Sequence, residues 1–150
     1  TLAQVIADEL GARFEEIKVL HGDSATVAHG TGTYASRSTV LAGGAATLAS
    51  RGLKEKIKRI AGHMLEAAPA DIEVHDGIAR VAGTDRTLTI RQVAKAVYSE
   101  MGRLPKEVRE DLSETQTYAP FFGTTTSSTH LAMVEIDPGN ALVFPAASSD

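Results

Sequence analysis

Apolar residues fall into periods that predict most of the elements. Leu2, Val5, Ile6 and Leu10 recur at helical spacing with Asp8 and Glu9 opposite, and Gly11 follows as a stop. Ile17 to Leu20 reads as a short buried strand before the turn His21-Gly22-Asp23. Ser38 to Leu65 reads as one long helix in two registers. Its first half, Thr39 to Ser50, carries no charge and is apolar all round, which predicts a helix enclosed on every side. After Gly52 it turns amphipathic: Leu53, Ile57, Ile60, Ala61, Met64 and Leu65 share a face, and Lys54, Lys56, Lys58 and Arg59 lie opposite.

Pro69 ends this helical region. Asp76-Gly77 is a hairpin signal that favours a type I′ turn. Folding about it pairs Ile72 with Val81, Glu73 with Arg80 and Val74 with Ala79. Leu88 and Ile90 form a short strand, and Val93, Ala94, Val97, Tyr98 and Met101 a second amphipathic helix that ends at Gly102. Leu104 to Ser113 is a charged loop or a single helical turn. Thr115 to Tyr118 is a candidate strand, ahead of Pro120-Phe121-Phe122-Gly123 and the hydroxyl-rich Thr124 to Thr129. His130 to Ile136 reads as a buried strand, Pro138-Gly139-Asn140 as a turn and Ala141 to Phe144 as a last strand. The class is α+β: two layers, long helices packed on a mixed β-sheet with a β-hairpin at one edge.

The chemistry concentrates at Gly30 to Ser38. Glycines at 30 and 32 permit φ > 0 and close approach of a ligand, and serines stand where the long helix must begin. A helix start has unpaired N–H groups and a partly positive dipole end, so it suits an anion, and Arg37 adds a fork for phosphate or carboxylate oxygens. The local pattern also fits a plain helix start with Ser36 or Ser38 as N-cap and a solvated Arg37. Gly43 and Gly44 each disfavour a helix interior by ~1 kcal/mol against Ala, which fits close approach of a backbone or ligand. The basic cluster Lys54 to Arg59 fits a solvated helix face better than a phosphate site.

Other chemistries find little support. His21, His29, His63, His75 and His130 have no zinc-site spacing, and structural roles suit His63 and His130. Ser36 lacks a nucleophile elbow and a placed base, which excludes a hydrolase. Asp23 is placed to accept backbone N–H bonds in its turn. Within 150 residues, zero cysteines exclude disulfides and cysteine-held zinc or iron–sulfur clusters. A net charge of −4 gives no support for nucleic acid or an anionic membrane, and no apolar run approaches the ~20 residues of a membrane span. Cytoplasmic location is the default expectation.

Val19 to Ser24 together with Gly30 to Ser38 resemble the molybdenum hydroxylase (xanthine oxidase) family, in its aerobic carbon monoxide dehydrogenase-type large subunits. That family has a Gly-Asp-Thr/Ser element, then G-x-G-[ST]-x-[AG]-S-R-[ST] leading into a long helix. Gly32, Thr33, Ala35, Ser36, Arg37 and Ser38 fall on the motif one for one. The resemblance implies that these six residues bind molybdopterin cytosine dinucleotide, the molybdenum-bearing cofactor of an oxidoreductase. It also implies iron–sulfur and flavin subunits or domains as partners, and a small-molecule substrate read elsewhere. The family's glycine-flanked catalytic glutamate and its Gly-Gln-Gly motif are missing from the sequence, and Pro145 departs from the family's closing strand. The chain then reads as a single domain over 1–150, part of a larger subunit, inactive and without molybdenum by itself, and prone to self-association. Two other readings are a stand-alone nucleotide- or phosphate-binding module and a non-catalytic interaction domain.

Overall fold

One long helix organises the molecule. In a computed structural model of the chain, the structure describes all residues except 26, 28–29, 31, 101, 103, 121–128, 132, 137–138, 140–142 and 146–150. For 135 and 143–145 it describes the backbone alone. His29, Met101, Phe121-Phe122-Gly123, most of Thr124 to Thr129, and Pro138, Asn140 and Ala141 of the expected turn and strand therefore lie outside the described residues.

Helix α1, Leu2–Leu10, ends at Gly11 in the left-handed region with φ 76. Glycine is required there twice over. A Cβ at Gly11 would stand 2.3 Å from the Val74 carbonyl oxygen, and the Gly11 carbonyl accepts the Gly77 N–H at 2.8 Å. The end of α1 is thereby fastened to the hairpin. Helix α2 runs Ser38–Met64. It stops at a left-handed Glu66, with Arg86 donating to the Leu65 carbonyl; Pro69 opens a following 3-10 turn, Pro69–Asp71.

Strands β1, Ile72–His75, β2, Ile78–Val81, and β3, Thr87–Thr89, form a sheet in that order. The expected hairpin register holds at every pair, with His75 opposite Ile78 added. Asp76 and Gly77 take φ 50 and 75, the two positive values that a type I′ turn demands. The α+β class stands, with one correction: every strand pairing among the described residues is antiparallel, so the sheet is not mixed. Helix α3, Ile90–Ser99, takes Ile90 away from the expected strand. The reason is a capping box, in which Thr89 accepts the Gln92 N–H while the Gln92 side chain accepts the Thr89 N–H.

The core gathers Ile57, Ile60 and Ala61 of α2, Ile72 and Val74 of β1, Ala79 and Val81 of β2, and Val93 and Val97 of α3. Period 3.6 on the helices meets period 2 on the strands there, and both buried faces are those the sequence marks.

Two expected strands fail and a third shortens. Residues 17–20 are irregular, Leu20 is exposed, and the segment joins neither of the described sheets. Residues 115–118 are irregular as well, being part of a strap described below. The run from His130 shrinks to β4, Val134–Ile136, paired with β5, Val143–Pro145. It is not buried: Met133, Val134 and Ile136 are all exposed, and Leu131 is 87% exposed.

Candidate functional site

Residues 32–38 form a turn feeding directly into α2. Gly32 takes φ 79, and no atom of the described residues lies within 4 Å of where its Cβ would stand. Ala35 and Ser36 follow with φ 52 and 53, and the Arg37 N–H donates to the Tyr34 carbonyl at 3.3 Å. Residues 34–37 are thus a type I′ turn without the glycine or asparagine such turns favour. Holding two ordinary residues there costs about 1–2 kcal/mol each.

Three contacts offset that strain. The first is the backbone bond of the turn. The second is the Ser38 hydroxyl donating to Thr33 Oγ1 at 3.0 Å. The third places Arg37 Cζ over the Tyr34 ring, 4.0 Å from its centroid. At about 0.5–1.5 kcal/mol for each hydrogen bond and 0.5–1 for the ring contact, they match the strain in size. Strain of this kind in a described loop points to function.

The start of α2 departs from a plain cap. Arg37 occupies the N-cap position, no side-chain cap bond is made among the described residues, and the first turn has no acidic residue. Ser36 belongs to the turn and Ser38 is the first helical residue, so neither is the expected N-cap. The structure does bring Gly32, Thr33, Ala35, Ser36, Arg37 and Ser38 together at one helix end. Upstream, Asp23 Oδ1 accepts the Ala25 N–H at 2.9 Å, the turn role its position suggested. Ala28 and Thr31 of the same loop lie outside the described residues.

Above the turn, the first half of α2 is not enclosed on every side. Thr39 and Ala42 are exposed, and Val40 and Leu48 are 37% and 40% exposed. Gly44 does meet a neighbour, though a ring rather than a backbone: its Cβ would stand 2.4 Å from the Tyr118 side chain. Gly43 is buried, with no described atom within 4 Å of a Cβ.

Tyr118 lies near the end of a strap, residues 104–120, that runs back along α2. Arg59 makes a bidentate contact with Glu110 at 2.7 Å on both oxygens. Lys56 donates to the Ser113 carbonyl at 2.5 Å and pairs with Glu114 at 3.1 Å. Leu112 N–H donates to the Tyr98 hydroxyl at 3.1 Å. On the other side Arg51 pairs with Glu9 at 2.8 Å and Lys54 reaches the Glu9 carbonyl at 3.2 Å. The basic cluster is therefore neither a phosphate site nor a bare solvated face, but the seam that fastens α1 and the strap to α2.

Several carboxyls on this seam are held below their ordinary range. Arg59 hydrogen bonding does so at Glu110, Gln116 and then Lys56 at Glu114, and Arg51 at Glu9. His63 on α2 and His130 are both exposed. Among the described residues no three His, Asp or Glu side chains converge to hold a metal.

Sequence reasoning missed Tyr34 as part of the site. Its signal was present, an aromatic residue three places before the arginine across a turn.

Comparison with known proteins bears on the chain as a whole. A family model described as the molybdopterin cofactor-binding domain matches residues 1–143. The chain is 37% identical to the nicotine 6-hydroxylase large subunit of Paenarthrobacter nicotinovorans, over 95% of this chain and 18% of that protein. It is also 37% identical to the carbon monoxide dehydrogenase large chain of Hydrogenophaga pseudoflava, over 91% of this chain and 17% of that one. The fold matches the crystal structure of quinoline 2-oxidoreductase from Pseudomonas putida 86 with a TM-score of 0.71 and 31% identity, over 96% of this chain and 18% of that chain. The chain thus spans under one fifth of the length of these relatives.

Proposed function

This chain belongs to the molybdopterin cofactor-binding domain family, and we propose that its 32–38 turn holds the cytosine dinucleotide form of that cofactor. The observation that carries the reading is the uncapped start of α2, with Arg37 at the N-cap position and no acidic residue in the first turn. Its donor set fits a pyrophosphate: the hydroxyls of Thr33 and Ser38, the guanidinium of Arg37 and helix-end N–H groups, all favouring negative charge. Gly32, with no described atom within 4 Å of its Cβ position, lets the ligand meet backbone.

When bound, the cofactor supplies the redox chemistry through its molybdenum. The share of this chain is binding and orientation. Arg37 pairs with phosphate oxygens, Thr33 and Ser38 hydrogen-bond them, and the Ala35-Ser36 turn fixes the direction in which those groups face. We propose 1–150 as one domain of a larger, cytoplasmic large subunit that works with iron–sulfur and flavin subunits on a small-molecule substrate. The span of under one fifth of the relatives supports this. So does the open face of α2 around Val40, Ala42 and Leu48, which suits a neighbouring domain or the cofactor. The family match favours this reading over a stand-alone phosphate module and over an interaction domain.

The test is Arg37→Ala in the complete large subunit. Removing a charge-assisted contact of roughly 1.5–3 kcal/mol lowers molybdenum per subunit while the fold survives. Unchanged molybdenum content overturns the assignment.

A further inference from the structure

We propose that Tyr34 is a positioning residue of this site, whose ring holds the Arg37 guanidinium in place for a phosphate oxygen of the cofactor. The inference rests on the cofactor-loop reading above and adds a residue that the family motif leaves open as its variable position.

Three observations carry it. Arg37 Cζ lies over the ring at 4.0 Å from the centroid, well inside the range of a cation–π contact. The residues between the two partners, Ala35 and Ser36, both sit at positive φ, so the backbone is bent in the way that brings positions 34 and 37 together. Tyr34 is 51% exposed, so its ring is not there to fill a core. A surface tyrosine beside a strained turn, with a guanidinium over it, has its clearest use in orienting that guanidinium.

The chemistry suits the task. Stacking engages the face of a guanidinium, whereas hydrogen bonds leave along its edge in the molecular plane. A ring contact and a bidentate phosphate contact therefore do not compete for the same part of the group. An arginine side chain free to rotate loses that freedom on binding, and a ring that restrains it beforehand removes this penalty. The ring performs this and the hydroxyl does not, so phenylalanine should serve and leucine should fail.

The experiment compares Tyr34→Leu, Tyr34→Phe and Arg37→Ala. In the 150-residue chain, side-chain ¹⁵N relaxation at Arg37 Nε reads the ordering directly. In the complete large subunit, the rate of molybdenum release on dialysis reads cofactor retention. Tyr34→Leu should leave Arg37 disordered and speed release about two- to fivefold, the factor expected of one exposed cation–π contact. Tyr34→Phe should match the parent in both. An Arg37 as ordered in Tyr34→Leu as in the parent overturns the inference, as does equal loss in the Leu and Phe variants. If Arg37→Ala speeds release and Tyr34→Leu does not, the loop reading stands and the role of Tyr34 falls. If Arg37→Ala itself changes nothing, the loop reading fails and the role of Tyr34 fails with it.

Discussion

The two halves of α2 belong to one unbroken helix and do opposite work. In the lower half Ile57 is 1% exposed and Ile60 and Ala61 are fully buried against the hairpin and α3. In the upper half Val40 and Leu48 lie more than a third open, although that half has the more apolar sequence. Burial therefore follows where partner elements lie within this chain, and composition follows what the helix is for. The upper half is built of small residues beside the strained 32–38 turn, which suits a surface that another body approaches closely. The lower half has branched side chains set into a core. A charge-free stretch left open in this way is what the proposed cofactor or domain contact would need.

The widest separation between the halves should be in stability. Ile60→Ala empties a fully buried site and should cost about 2–5 kcal/mol, with a fall in melting temperature on the order of 10 °C. Val40→Ala, on the same helix, should stay within about 0.5 kcal/mol. Thermal unfolding of both variants measures the contrast, and equal losses would mean that the upper half is as much a part of the core as the lower.

Next in size is Gly32→Val. With no described atom near its Cβ position, the cost is the strain of φ 79, which a β-branched residue adopts badly, at about 1–2 kcal/mol. Cofactor content of the complete subunit should drop with a modest change in melting temperature. A large thermal loss with cofactor retained would instead place Gly32 on the structural side of the comparison.

The smallest effect belongs to the strap that joins the halves. Glu110 is held below the ordinary carboxyl value of 4.5 by its Arg59 hydrogen bond. A carboxyl lowered on folding adds stability that is complete above its unfolded value and disappears as pH falls through the folded one. Melting temperature should therefore be level from neutral pH to about 5 and decline below about 4.5. Arg59→Ala should remove part of that decline, about 0.3–1 kcal/mol after solvent screening. A decline of unchanged size in the variant would show that the strap is not held by this pair.

Local signals explain what the sequence disclosed. The Asp76-Gly77 dipeptide sets both the turn and the register of β1 and β2, because a two-residue loop leaves no freedom to slip. Gly11 and the core face of α2 were legible for the same reason. The start of α3 was legible but overlooked, since Thr89 and Gln92 spell a capping box that outweighs the strand propensity of Ile90.

Tertiary facts were hidden. Residues 115–118 have strand-forming composition, yet Glu110 and Glu114 bind this segment to Lys56 and Arg59, and Tyr118 lies over Gly44. Pairings more than forty positions apart leave no periodic trace. At the site, the motif identified which residues gather, while the positive φ of Ala35 and Ser36 and the ring beneath Arg37 emerged only from the coordinates.

Backbone hydrogen exchange on the complete large subunit, with and without its cofactor, tests the division of α2 most directly. Cofactor should protect amides from Gly32 through Ala45 and leave Ile57 to Met64 unchanged. Equal protection along the whole helix, or none at the 32–38 turn, would contradict the account.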